Sequence, residues 1–469
     1  MARNRSMLPF PADASWIGSS HPFDLHEAYL NFRSPAQWQL MQQPTDAVLY
    51  LSADSRYKLW INEQFVSRGP ARSYPDAQAV DCVPVNQYLQ AGVNLIAIQV
   101  YQPGYSHFSY VHRGSAGVLA FLICDGEAVL ITNEQWRVQR DDSFAANVPR
   151  VSIYGSGVEV RDLRQAEDWI SSQYDDSPWE VPRIVSPVDG AIWRGLNQRE
   201  LPFLTERTIP MTLLETRHGM YPAIHQSDPH LALREGWLSA TSQTIQAQDQ
   251  IEFSPILADG EAAYWLFDLG RDYTCQGWAE IEGALGNEQL SISYQEKIRE
   301  GQLLISDPQT YCRVRLTDRF ILQGGTQTAE TFALRGGRYL LWQLVGPTGP
   351  DLRLRFYTRV AEYPLQIDRP LSINDDALNR IISMCETTFR ACLQDGFVDC
   401  VWRESSQWLG DALPQSLIMA TLSNDVRPLR QVLTMAAQGA YADGVLPSVL
   451  PGEVHAVIVN VRDFRCRSR

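Results

Sequence analysis

INDDALNRIISMCETTFRACL, residues 373–393, is where the hydrophobic period of this chain changes from two to 3.6. Leu378, Ile381, Ile382, Cys385, Phe389 and Cys392 fall on one helical face, Asn374 stands at the N-cap position and two acids occupy the first turn. Two more helical segments follow, at 409–422 and 428–439, the second with Asp425 ahead of it and Pro428 near its first turn. The chain is therefore helical from about 371 onward, and only 99 of its 469 residues are left for that part.

Upstream the pattern is strands. AVLYLSA (47–53), RYKLWI (56–61), QFVSR (64–68), NLIAIQVYQ (94–102) and VLAFLI (118–123) are rich in β-branched and aromatic residues punctuated by Gly, Pro, Asn and Asp. Asn62-Glu63 sits where a tight hairpin turn belongs, and Gln90-Ala91-Gly92 precedes another strand. Pro178, Pro182, Pro187 and Pro202 then mark a break. A second strand-rich block contains YWLFDLG (264–270), GWAEIEG (277–283), LSISYQ (290–295), DRFILQG (318–324) and RYLLWQLVG (338–346). The glycine pairs 324–325 and 336–337 read as hairpin turns, because neither has the strand-to-helix setting of a phosphate loop. The expected architecture is multidomain, β then α: an antiparallel β-sandwich over 1–185, a linker over 186–204, a second sandwich over 205–368, a helical domain over 369–460 and an atypical basic tail over 461–469.

Composition limits the function. Lys plus Arg number 40 against 54 Asp plus Glu, a net charge of −14, which argues against nucleic-acid and anionic-membrane partners. No stretch approaches the roughly 20 apolar residues that span a bilayer, and the opening MARNRSMLPFPADASW lacks the apolar run of a secretory signal. The eight cysteines are scattered without CxxC pairs, so we read them as reduced thiols in cytoplasm. The eight histidines contain no HExxH or His-x-His pair, and neither a catalytic metal nor another cofactor is expected.

The chemistry concentrates in Asp399-Cys-Val-Trp-Arg403-Glu404-Ser-Ser-Gln-Trp408-Leu-Gly410-Asp411. If the chain is already helical at Glu404, then Glu404, Trp408 and Asp411 share one face, where an ordinary core stripe would be apolar. Asp399 and Arg403 stand just before, in a loop feeding the same mouth. Cleaving a glycosidic bond requires such a set: one carboxylic acid protonates the departing oxygen and a second carboxylate activates water. Other acids and an arginine hold hydroxyls, and an indole covers a C–H face of the sugar. A capped, solvated helix start with an Arg–Asp surface pair fits the same spacing.

The segment resembles the signature of bacterial α-L-rhamnosidases of glycoside hydrolase family 78, Asp-Cys-Pro-x-Arg-Glu followed by a Gly-Trp-x-Gly-Asp-like stretch. Asp399, Cys400, Arg403, Glu404, Trp408, Gly410 and Asp411 match it, with Val401 and Gln407 as departures that remove no ionisable group. Residues 47–76, Asn94-Leu-Ile-Ala and Asp175-Asp176-Ser177-Pro-Trp179 look like the family's N-terminal carbohydrate-module-like sandwich. Phe267-Asp268-Leu-Gly270-Arg271 and Arg338-Tyr339 look like its second sandwich. The resemblance implies that the helical domain begins an (α/α)6 six-hairpin barrel and that the enzyme removes terminal α-L-rhamnose from a glycoside or oligosaccharide with inversion. It makes Glu404 the general acid, with Asp399, Arg403, Trp408 and Asp411 holding the sugar.

A barrel of twelve helices needs well over about 200 residues at common helix and loop lengths. The family's catalytic base is a glutamate of the barrel's distant half. Glu453 is the nearest spare carboxylate, and no motif makes it the base. The tail VRDFRCRSR, with four arginines in nine residues, then reads as a frame change or truncation inside the catalytic domain, so this chain is expected to be inactive or impaired and poorly soluble. A second function is also compatible with the residues: a non-catalytic carbohydrate-binding remnant whose first sandwich offers Trp60, Tyr101, Tyr105 and Tyr110, although strand alternation favours core packing for these rings. The sequence carries no sign of oligomeric state.

Overall fold

The computed structural model describes residues 8, 10–21, 25–188, 190–222, 225, 227–242, 251–442 and 444–452; Glu453 and the tail 461–469 lie outside them. Among the described residues the chain is mostly β-sheet with four helices. It forms two compact units, one from the described parts of 1–142, 167–201 and 433–457, the other from those of 143–166 and 202–432. No helix among the described residues is long and apolar enough to cross a membrane.

The first unit contains a seven-stranded and a five-stranded sheet. In the larger, Gly117–Cys124 pairs antiparallel with Ala47–Asp54 along its full length. In the smaller, Ile96–Gln102 lies between Ala28–Arg33 and Arg56–Ile61. Asn62 and Glu63 both adopt positive φ, which the hairpin between Arg56–Ile61 and Gln64–Gly69 demands. Trp16 and Trp193 stack with ring centroids 4.1 Å apart in the core, and Trp193 donates to the buried Asp54 at 2.7 Å.

That pair corrects the expected linker over 186–204. Strand Arg183–Pro187 adds to the edge of Ser15–Gly18, and Asn197–Gln198 pairs parallel with Ala79–Pro84. Burial of the Trp193 indole outweighs the prolines, which sit at edges and strand ends where no ladder donor is needed. The unbroken span 1–185 is corrected too. Within it, Val160–Asp162 pairs parallel with Thr317–Ile321 of the second unit. The buried Glu159 accepts from the amides of Phe332 and Ala333 at 2.7 and 2.8 Å.

The second unit is built on one 24-residue strand, Glu261–Ala284, rather than the two separate strands its sequence suggests. Its first part pairs with Thr212–Met220 and Arg335–Val345, and its last part with Gly325–Glu330 and Arg353–Glu362. Between Asp268 and Tyr273 the register with Arg335–Val345 shifts, a bulge with Gly270 at φ +82°. The Asp268 carboxylate holds this corner, accepting from the Gly270 amide at 2.7 Å and from two nitrogens of Arg338 at 2.8 Å each. Trp265, Trp342, Phe267, Phe253 and Phe356 pack together, with Trp342 stacked on Phe356 at 4.6 Å. Burying each ring contributes on the order of 2 kcal/mol or more.

Helix Asp376–Ala391 begins one residue later than its pattern suggests. Asp375, not Asn374, is the N-cap, and its carboxylate accepts from the amides of Ala377 and Leu378. A carboxylate also meets the positive end of the helix, which the Asn374 amide cannot do as well. Of the apolar face, Phe389 and the C-cap Cys392 are buried, whereas Leu378, Ile381 and Cys385 are exposed. Helices Leu409–Leu422 and Arg427–Gln438 follow, the second introduced by Asp425, which takes three nitrogens of Arg427.

Trp193→Ala removes a stacked indole and leaves Asp54 without that donor, so it should destabilise the first unit by about 3–5 kcal/mol in denaturant unfolding. A chain cut after residue 185 should fail to give a cooperative transition for this unit.

Candidate active site

The motif lies in the connection between helices Asp376–Ala391 and Leu409–Leu422, and two side-chain amides, one buried and one half-buried, hold its ends. Gln407 accepts from the Phe397 amide at 3.0 Å, and Gln415 donates to the Val398 carbonyl at 2.8 Å. The Asp399 amide donates to the Ser406 carbonyl at 2.9 Å while its Oδ1 accepts from the Ser406 amide at 3.0 Å, closing a loop over 399–406. Gln407, a departure from the family signature, is thus a structural clamp.

Helix Leu409–Leu422 starts five residues after Glu404, so Glu404, Trp408 and Asp411 do not share one helical face. Residues 401–404 form turns, Ser405 takes φ +50° and Trp408 is the extended N-cap. Burial and loop closure override the helical spacing here. They still bring the predicted residues together. Glu404 Oε1 accepts from Arg403 Nε at 3.0 Å, Glu404 Oε2 accepts from Trp408 Nε1 at 3.0 Å, and Arg403 lies 3.6 Å from Asp399 Oδ2. Asp411, in the first turn of the helix, lies close enough to feel the charges of Glu404 and Arg403.

Strands of the second unit form the base of the loop. Trp402 Nε1 donates to the Tyr294 carbonyl at 2.8 Å, Ser152 Oγ to the Arg403 carbonyl at 2.6 Å and Gln394 to Thr274 Oγ1 at 2.7 Å. Gly336 and Gly337, expected in a hairpin turn, are inside strand Arg335–Val345. The reason is contact: a Cβ on Gly336 would lie 1.9 Å from the Val401 carbonyl oxygen. Two acids that no motif marks join the candidate site from these strands, Asp272 in the bulge and Glu296 just after Gln289–Gln295. Their only signal in sequence is an acid next to a buried strand run.

The electrostatics follow from crowding. Glu404 is pushed up to about 7, first by burial, then by the Asp399 charge and a hydrogen bond shared with that carboxyl; the Trp408 and Arg403 contacts oppose this. Burial and the neighbouring Asp272 lift Glu296 to about 7, and burial lifts Asp272 to about 6. Asp411 is raised by burial and by Glu404. The buried Cys392 thiol is pushed up to about 12 by burial and then by Asp399, Asp411, Asp272 and Glu296, so all four acids converge around it. One oxygen each of Asp399 and Glu404 and the Cys400 sulfur lie within 4.8 Å of one another, a spacing that could suit a metal. Burial lifts the Cys400 thiol to about 12, so a metal here would have to displace its proton.

The first unit's aromatic residues are used internally. Trp60 packs edge-on to Trp169 at 5.5 Å, the Tyr101 and Tyr105 hydroxyls donate to Glu27, and Tyr110 donates to Asp54.

Residues 370–462 match the bacterial alpha-L-rhamnosidase 6 hairpin glycosidase domain family. No curated protein matches the chain by sequence. Among solved structures, the glycoside hydrolase family 78 rhamnosidase of Bacillus sp. GL1 is similar over 94% of this chain and 64% of its own, with 20% identity and a TM-score of 0.79. The α-L-rhamnosidase of Aspergillus terreus is similar over 94% of this chain and 47% of its own, with 17% identity and a TM-score of 0.67. The chain thus has the fold of these enzymes and spans less than two thirds of their length.

Asp399→Asn removes the charge that, after burial, does most to keep a proton on Glu404. The Glu404 midpoint, followed by carbon-detected NMR and assigned by its loss in Glu404→Gln, should fall below about 7. Trp408→Phe deletes a bond that favours the ionised form, so it should move the midpoint the other way.

Proposed function

We propose that this chain is a glycosidase of the α-L-rhamnosidase type, acting on terminal α-L-rhamnose of a glycoside or oligosaccharide by an inverting acid/base mechanism. The observation that carries this is a buried carboxyl, Glu404, kept at about 7 among other acids within a segment that matches a rhamnosidase domain. Glu404 is the general acid: at neutral pH it carries a proton in a substantial fraction of molecules and can pass it to the departing oxygen. Asp399, Arg403 and Asp411 take sugar hydroxyls, and Trp408 both aims Glu404 and offers its ring to the sugar.

Five carboxyl groups, Asp272, Glu296, Asp399, Glu404 and Asp411, outnumber the cations that act on them, Arg403, Arg338 and Lys297. Such a field favours the positive charge that develops on the ring in an oxocarbenium-like transition state and disfavours anionic sugars. Inversion requires a second carboxylate about 6.5–9.5 Å from the acid, with water between them.

We further propose that residues 369–460 are the first part of an (α/α)6 barrel. Apolar faces left open to solvent support this: Ile381 and Met384 on helix Asp376–Ala391 are 53% and 68% exposed, and Leu413 and Leu417 on helix Leu409–Leu422 are 55% and 63% exposed. Surfaces of this kind are buried by further helices in a closed bundle. The seven described cysteines, all free thiols, suit the cytoplasm.

Assayed alone, the 469 residues should turn over an aryl α-L-rhamnoside weakly or not at all, while L-rhamnose should still bind. Any turnover should vanish in Glu404→Gln, and Asp399→Asn should weaken rhamnose binding about tenfold, the effect of a lost charged hydrogen bond. Turnover should fall through pH 7 and by about tenfold per unit above it, because the acid is active only when protonated. Retention of full turnover in Glu404→Gln sinks the assignment.

A further inference from the structure

Glu296 and Asp272 are carried by strands, not by the motif loop. Asp272 lies in the bulge between Asp268 and Tyr273, a distortion that re-aims side chains and that Gly270, Asp268 and Arg338 fix in place. Oδ1 of Asp272 is buried and has no hydrogen-bond partner among the described residues. Glu296 follows Tyr294 by two residues, and the Tyr294 carbonyl takes the Trp402 indole N–H next to Arg403. The Glu296 side chain is open to solvent, yet protein closes around it enough to lift its carboxyl, with no hydrogen bond among the causes. Both acids lie near the Cys392 thiol, as do Asp399 and Asp411.

Folding gains nothing from two more acceptors in an already negative region. A buried acceptor without a donor, as Asp272 Oδ1 is, costs about 1–3 kcal/mol, and like charges nearby add to that for both acids. Asp272 Oδ1 has no donor among the described residues, and Arg338, the cation that acts on Asp272, is held by Asp268; Glu296 feels the charges of Arg403 and Lys297 without a hydrogen bond from either. A neutral, hydroxyl-rich sugar would bring O–H donors and no charge.

We infer that Glu296 and Asp272 are substrate-contacting residues, a second pair of carboxyl groups that the strands supply to the rhamnose site, accepting hydrogen bonds from hydroxyls of the sugar that Asp399, Arg403 and Asp411 hold. This rests on the rhamnosidase reading of the site. It makes recognition a joint product of the sheet and the helical segment, and it extends the specificity-determining set beyond the motif.

The test is calorimetric titration of the full 469-residue chain with L-rhamnose. Glu296→Ala and Asp272→Asn should each weaken binding tenfold or more, and Glu296→Gln by a smaller factor because an amide oxygen still accepts. Glu300→Gln, on an exposed side chain that pairs with Arg299, should bind as the unaltered chain does. The melting midpoints should stay level or rise, since a repelling charge is removed. Variants at 296 and 272 that bind within twofold of the unaltered chain, while Asp399→Asn binds poorly, overturn this inference and leave the proposed function standing. Weakened binding that tracks a lowered midpoint overturns it as well. If the unaltered chain does not bind L-rhamnose at all, both fall.

Discussion

The site depends on one close approach, the backbone of Val401 against Gly336. Only a residue without a side chain allows it, and it sets the motif loop on strand Arg335–Val345. Once Val401 is seated, Trp402 can reach the Tyr294 carbonyl and Ser152 can hold the Arg403 carbonyl. Arg403 is then held through its carbonyl, and Glu404 follows it directly in the chain. The Glu404 carboxyl thus sits on a loop whose position is determined by a sheet, which gives a precision that a free loop lacks.

Crowding of acids is the second constraint. A carboxyl near neutrality needs both a poor environment for charge and neighbours that are themselves negative, and Glu404 has both. Arg403 and Trp408 work against this, but they also orient the group. The outcome is a compromise between aiming a carboxyl and keeping its proton. Charged neighbours that would be costly in an ordinary core are retained here, which is common where chemistry rather than stability sets the arrangement.

Much of this was legible in the sequence. Alternation located the strands, the change of period located the helices, and the motif brought Asp399, Arg403, Glu404 and Trp408 to one place. What failed were inferences that treat local pattern as sufficient. Helical spacing at Glu404 gave way to loop closure by Asp399 and Ser406. The prolines around 187 suggested a linker because nothing local reveals that Trp193 stacks on Trp16. Gly336 and Gly337 looked like a turn because the Val401 backbone that excludes a side chain is distant in sequence. Glu296 and Asp272 were missed for the same reason, since no spacing rule connects a strand end to a loop about a hundred residues away.

The pairing of Val160–Asp162 with Thr317–Ile321 also bears on how this chain reaches its fold during synthesis. The ribosome delivers the first of these strands long before its partner, and residues 167–201 of the first unit emerge in between. Folding therefore cannot proceed as a simple sequence of finished modules: a short segment must wait, its edge unpaired, while the chain on either side of it consolidates. Such an interval is a window for wrong strand partners, so translation speed and chaperone access over this stretch should influence yield more than the intrinsic stability of either unit.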